Sequence, residues 1–507
     1  MKEFKHLIIG LIFQLAWSMG TGHAADVIHY DLHIVPDFPS RTVNLTAAIQ
    51  IDNAQLERHF VFGLNNAYDS VKVSAAASAV AVERKRGRIV VTVEQPARDL
   101  ILTFKLNGLT GNSNDEGRAV VTDSSLFLLW SDRFYPIVYD DWATVATTIV
   151  LPDGFSAIAP GKMAHVLSGG DKTTYVFETG HPTVCFSVLA DRRWIHTQRT
   201  INNIPMHTFL YPESQHFAEQ ILKSSAEILA FYADYYGPYG FDQFSFVTIE
   251  GINARRAFPG FIGYSPRYLE KEFTTTGHDA HETALLWWFY TLRGSGPGAF
   301  QWTEGFGDYA EFLYDEAFGK PIPSIFRYFR EQYLNSKPSE DVAYHKLNGA
   351  TPQKIVHGKY PWLMHLIRFV VGDEVFRNSM RLLFDRYRFR TFSMQEFIKT
   401  MEEGSGQSLQ WWRKDWLQQK GAPAVAMRYD VGKSGDRFIT TVILEQSDPP
   451  RYLPLEVGLE TENDMRLEKI LLTGKVVKRV FKTDKKPKRV ILDPNRWLLA
   501  KKKTVTP

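Results

Sequence analysis

The sequence predicts a multidomain α+β fold from three observations: its length, a strand-like period at both ends, and a helical period between them. The 507 residues exceed the roughly 250–300 at which a single hydrophobic core stops growing. From Asp26 to Thr200 short runs alternate apolar and polar, as in Val43, Leu45, Ala47, Ile49 and Ile51. From Pro212 to Gly421 the period lengthens to that of a helix, and after Gly421-Ala422-Pro423 it shortens again.

The elements follow in order. Arg88 to Val93 and Leu100 to Leu106 continue the early alternation, separated by Gly, Asn and Asp, and read as strands of an all-β domain. Cys185, between Val184 and Phe186, falls in a strand-like run and reads as a core thiol; as the only cysteine it forms no internal disulfide. Phe217, Ile221, Ile228, Leu229 and Tyr232 share one face of a long helix that stops at Gly237-Pro238. A strand from Phe244 to Glu250 follows, then helices out to Trp416. Phe438 to Glu445 and Val490 to Leu492 return to alternation. There is no repeat period and no long linker.

Composition narrows the class. Hydrophobic residues make up 44%, aromatics 14% and charged residues 23%, which excludes collagen-like, low-complexity and wholly disordered chains. A net charge of +3 over this length gives no footprint for nucleic acid. The basic run Lys501 to Lys503 reads as a solvated tail. At the other end, Lys2 and Lys5 precede an apolar stretch from Leu7 to Gly20, and Gly22 and Ala24 suit cleavage after Ala24. Residues 1–24 are therefore expected to be a signal peptide, and the protein periplasmic or secreted. No later segment reaches the ~18 apolar residues of a span, so no stable membrane span is expected after cleavage.

The chemistry sits in the helical zone. His281-Glu282 opens a helical stretch that runs through Trp287-Trp288. Positions 281 and 285 are four apart and project from one helix face. A zinc peptidase places His at both, with the intervening Glu polarising the metal-bound water. Here the second place is Leu285. Alone, a His-Glu dipeptide is also compatible with an ordinary surface turn.

Downstream, Gln301-Trp302-Thr303-Glu304-Gly305-Phe306-Gly307-Asp308-Tyr309 resembles the W-x-x-E-G-F-A-x-Y block of the gluzincin aminopeptidases, the family of membrane alanyl aminopeptidase and leukotriene hydrolase. Eighteen residues separate position 285 from Glu304, the family's spacing between second His and ligand Glu. Trp287-Trp288 matches its aromatic pair, Tyr236-Gly237-Pro238-Tyr239 its entry turn, and Arg368 to Phe376 a helix pair. Trp412 to Pro423 resembles its W-x-x-x-x-G-x-P boundary, and Val490 to Pro494 a last strand. The resemblance implies an N-terminal β-saddle domain at 25–203, a mostly helical thermolysin-like domain at 204–423 and a small C-terminal β-sandwich domain at 424–507. The larger helical domain that closes many relatives is expected to have no room in these 507 residues.

The resemblance also implies zinc, held by His281 and Glu304, with Glu282 as general base. Four roles bear on it, and three of them depart from the family: the second ligand, the oxyanion Tyr and the amine anchor. Leu285 donates no lone pair, and losing an atom bound directly to the metal costs more than the roughly 10–100-fold of a lost outer partner. Without a metal to acidify water, Glu282 is a weak base, and a buried acid paired with a neighbour is its alternative role. The oxyanion-stabilising Tyr position falls on His357, with Lys359 on the family Lys; Tyr360 is the counterpart if the register shifts. In the strand that normally grips the substrate amine, the Glu position is Ala257, and Arg255 and Arg256 add positive charge. These arginines and Trp302 are the candidate ligand-contacting residues; solvent-facing arginines and a core tryptophan are the alternatives. His278, three residues before His281, offers a displaced metal site with His281 and Glu304 by i,i+3 projection. Three readings follow: a degenerate peptidase fold binding a peptide or protein ligand, an active metallopeptidase with an altered metal site, and a structural or interaction module.

Overall fold

The computed structural model describes residues 26–110, 119–139, 141–250, 255–348 and 350–505; the expected signal peptide lies outside them. The chain divides into two compact units, residues 1–293 with 387–391, and residues 294–386 with 392–507. The division falls inside the span read as a single peptidase-like domain.

In the first unit, the strand Asp26–Asp37 lies at the middle of a seven-stranded sheet. It pairs antiparallel with Thr42–Asp52 and parallel with Thr144–Pro152. Alternation does what it predicts: Val43, Leu45, Ala47, Ile49 and Ile51 are all buried while their neighbours are not. These residues join Leu32, Ile34, Leu102 and Phe104 in one apolar cluster. Cys185 is buried, but not in a strand; it adopts a left-handed conformation at φ +59°, and its thiol accepts from Arg293 Nη1 at 3.4 Å.

The same unit carries a second sheet, five strands in the order Ile195–Ile201, Ile204–Leu210, Phe244–Thr248, Phe261–Tyr264 and Arg255–Phe258. The helix Ala218–Tyr236 is the crossover that lets Ile204–Leu210 and Phe244–Thr248 run parallel. Its buried face is the one the sequence marks, with Ile221, Ile228, Leu229 and Tyr232 inward. It stops at Gly237, whose φ of +131° suits only glycine. The last two strands form a hairpin around Pro259-Gly260, and the helix Ala280–Trp288 packs on this layer.

The second unit holds the helices Ala299–Ala317, Ser324–Asn335, Gln353–Val371 and Met394–Ser405, followed by a four-stranded and a three-stranded sheet. Glycines set the helix spacing. A Cβ at Gly305 would lie 2.4 Å from Tyr360 Cβ and 2.8 Å from the Val356 carbonyl oxygen, so only glycine lets Ala299–Ala317 and Gln353–Val371 approach this closely. Lys501–Lys503 are not a solvated tail. They belong to the strand Lys501–Val505, which pairs parallel with Ala424–Ser434. Backbone pairing to an open sheet edge outweighs the polarity of the run.

Candidate functional site

The helix Ala280–Trp288 starts where its sequence provides a cap. Asp279 is the N-cap, and its carboxylate accepts from the Glu282 amide at 3.1 Å while its carbonyl accepts from Thr283 Oγ1 at 2.7 Å. His278 therefore precedes the helix and does not project from its face, so the i,i+3 relation to His281 expected from sequence does not hold. His278, His281 and Glu282 are all buried.

Arg255 opens the strand Arg255–Phe258, and its guanidinium meets three carboxylates. Nε lies 3.3 Å from Glu282 Oε1, and Nη1 lies 3.4 Å from Glu272 Oε1 and 3.9 Å from Asp279 Oδ1. Its side chain is 26% exposed against 7% for Glu282 and 3% for Asp279, so the arginine does not simply face solvent. Burial pulls against its charge, but Tyr264, Glu272, Asp279 and Glu282 together hold it well above the usual arginine range. Burial in turn raises the Asp279 carboxyl, with Arg255 the main opposing influence. Arg256 is half-buried, and its charge opposes the burial that lifts Asp132 to about 7. Ala257, at the amine-anchor position, offers no carboxylate; its carbonyl accepts from Tyr290 Oη at 2.8 Å.

These residues do not fit a zinc ion. One turn after His281 the helix presents the isobutyl group of Leu285, which has no donor atom. Among the described residues no group of three or more His, Cys, Asp or Glu side chains is placed to hold a metal ion.

In the second unit, the helix Ala299–Ala317 carries Glu304, buried at 6% exposure. Trp302 is fully buried, its ring 5.4 Å from that of Phe306 and 5.3 Å from that of Phe392, so it is packed as a core residue. One turn beyond Glu304, Asp308 is buried and its Oδ2 lies 2.7 Å from His357 Nδ1. A carboxylate there favours the tautomer with hydrogen on Nδ1, which leaves Nε2 of the neutral ring an acceptor. Tyr360 is fully buried, and its hydroxyl has no hydrogen-bond partner among the described residues. Sequence reasoning did not single out Asp308; a carboxylate four residues after Glu304 on one helix face was the available signal.

Lys359 belongs to a separate buried network. Its Nζ lies 2.9 Å from Asp341 Oδ2, which also accepts from Tyr333 Oη at 3.0 Å and the Gly421 amide at 2.7 Å. Both members of the ion pair are fully buried, which marks them as structural.

No protein-family model matches the chain. Segments of it are similar to aminopeptidase N of Lactococcus lactis subsp. lactis, 27% identical over 81 residues, which is 16% of this chain and 10% of that protein. Aminopeptidase N of Escherichia coli (strain K12) is 26% identical over 87 residues, 17% of this chain and 10% of that protein. Probable aminopeptidase 2 of Sulfurisphaera tokodaii is 30% identical over 79 residues, 16% of this chain and 10% of that one. The matched segments thus span about a tenth of these relatives. In fold, the chain is similar to Legionella pneumophila aminopeptidase A, solved in complex with aspartic acid, at a TM-score of 0.74 and 14% identity. That likeness covers 96% of this chain and 60% of the Legionella chain.

The fold is multidomain α+β, similar to that of a solved aminopeptidase. Within that class the local sequence likeness points one way, to an aminopeptidase-like protein similar to the gluzincin aminopeptidases.

Proposed function

We propose that this is an exported, catalytically degenerate aminopeptidase-like protein that binds a peptide or a partner protein without hydrolysing it. The observation that carries the reading is the pairing of Glu282 with Arg255. A general base needs its carboxylate near a water, and here that carboxylate shares a guanidinium with Glu272 and Asp279. Leu285 in place of a ligand and Ala257 in place of an amine anchor point the same way.

The test is the metal content of the purified protein beside that of Leu285→His. A zinc-free parent and a zinc-binding variant support the proposal. Near-stoichiometric zinc in the parent would overturn it. It would favour the second reading, an active metallopeptidase with an altered metal site. One observation leans that way: Asp308 orients His357 as outer carboxylates orient ligating histidines.

A further inference from the structure

We propose that the outer face of the C-terminal four-stranded sheet docks on an anionic phospholipid surface. The sheet runs in the order Val476–Thr483, Arg437–Gln446, Ala424–Ser434 and Lys501–Val505. Alternate residues of each strand share a face, and one face is inward: Val425, Met427, Val442, Leu444 and Phe481 are buried. The opposite face looks to solvent. Across it Lys478, Ile443 and Arg428 stand side by side, Lys482 stands beside Ile439, and Lys503 beside Ala426. Lys478, Lys482, Lys501, Lys503 and Arg428 are exposed, as are Val476 and Val480 at 52% each.

Charge is concentrated here. Residues 424–507 hold 18 Lys and Arg against 11 Asp and Glu, whereas the whole chain nets only +3. Residues 475–489 alone hold 8 bases and 1 acid. Several bases off the face are neutralised locally: Lys475 by Asp448 at 2.7 Å, Lys488 by Glu462 at 3.6 Å, and Lys502 by Asp493 at 2.8 Å. Among the described residues Lys478, Lys482, Lys501, Lys503 and Arg428 have no such partner. Asp430 and Glu445 share the face, as does Arg437, which Asp484 neutralises at 3.4 Å; the remaining charges leave a surplus of three, five bases less two acids.

The choice of base identifies the occupant. Four of the five are lysines, hydrated point charges on flexible stems, which suit a diffuse plane of phosphates better than bidentate pairing to one carboxylate. Half-buried Ile439 and Ile443 and exposed Val480 lie between them, as at an interfacial binding face. Each lysine near an anionic leaflet strengthens binding about fivefold. This peripheral contact needs no membrane-spanning segment, and it is independent of whether the peptidase site is degenerate.

The experiment is cosedimentation of the purified chain with phosphatidylcholine vesicles, with and without phosphatidylglycerol, at low and high salt. The expected result is binding only with phosphatidylglycerol, weakened by salt and reduced at least about tenfold in Lys478→Glu/Lys482→Glu. Arg428→Glu/Lys503→Glu, on other strands of the same face, should weaken it similarly. Lys162→Glu/Lys172→Glu, exposed on the N-terminal sheet, should not. Binding without phosphatidylglycerol dependence, equal loss in the N-terminal control, or wild-type binding by both face variants would each overturn the proposal. Capture by soluble poly-glutamate as tight as by vesicles would also overturn it, in favour of an acidic protein partner.

Discussion

Arg255 Nε lies 3.3 Å from Glu282 Oε1, and the same guanidinium reaches Glu272 and Asp279. The residue that the motif marks as a base is thus one of three carboxylates gathered on one cation. Removing that cation leaves like charges clustered at low exposure. Arg255→Met is expected to cost about 2–4 kcal/mol in urea denaturation, the lower end reflecting the quarter exposure of its side chain. Adding Glu282→Gln should recover part of the loss, so a double-mutant cycle reads a coupling of at least ~1 kcal/mol. Additive effects would show that the two side chains do not interact.

Leu285→His addresses a different link. It restores the donor one turn after His281, yet Ala257 still lacks a carboxylate and Glu282 stays with Arg255. Hydrolysis of an aminoacyl anilide should therefore remain at background even where zinc is taken up. Measurable turnover in this single variant would mean that the missing ligand was the whole defect.

The Lys359–Asp341 pair is fully buried on both sides. Burial pushes the Lys359 ammonium below its usual range, and Asp341 opposes that shift. Lys359→Met leaves a carboxylate still accepting from Tyr333 and the Gly421 amide, and should cost about 3–5 kcal/mol. Replacing both members by apolar residues of similar size should cost less. Thermal melts of the two variants decide the order.

Stability should fall in mild acid because of His207. Burial, aided by the charge of His196, lowers its pKa from 6.5 to about 4. The unfolded chain then binds a proton below about pH 6.5 that the folded chain refuses until about pH 4, so folding weakens as pH falls through that window. At about pH 5 the loss approaches ~2 kcal/mol. His207→Phe should flatten this dependence while leaving stability near neutral pH little changed. An unaltered pH profile would assign the titration to other groups.

Gly305 offers a packing test. A methyl group there meets Tyr360 Cβ at 2.4 Å and the Val356 carbonyl at 2.8 Å, and neither is the end of a flexible chain. Gly305→Ala should destabilise by about 1–3 kcal/mol or more by forcing the helices apart, despite its better helix propensity. A stabilised variant would contradict the close approach.

The order of elements was legible in the sequence because each was written in local chemistry. Period-two burial gave the strand Thr42–Asp52, and a helical period ending at Gly237 gave Ala218–Tyr236. The block from Gln301 to Tyr309, at the family's distance from His281-Glu282, carried the resemblance. What sequence could not supply was pairing between residues distant along the chain. Arg255 and Glu282 are 27 positions apart, and Asp308 and His357 are 49 apart. Long side chains choose partners through the fold that delivers them, and nothing in local propensity encodes the choice. The same holds at Lys501–Lys503, where composition favours solvent but a free sheet edge supplies a ladder. His278 differs from His281 for a nearer reason: one carboxylate, that of Asp279, caps the helix between them and ends the face they were expected to share. Local periodicity thus determined the elements and short motifs carried the family likeness, while the tertiary structure alone decided which charges meet.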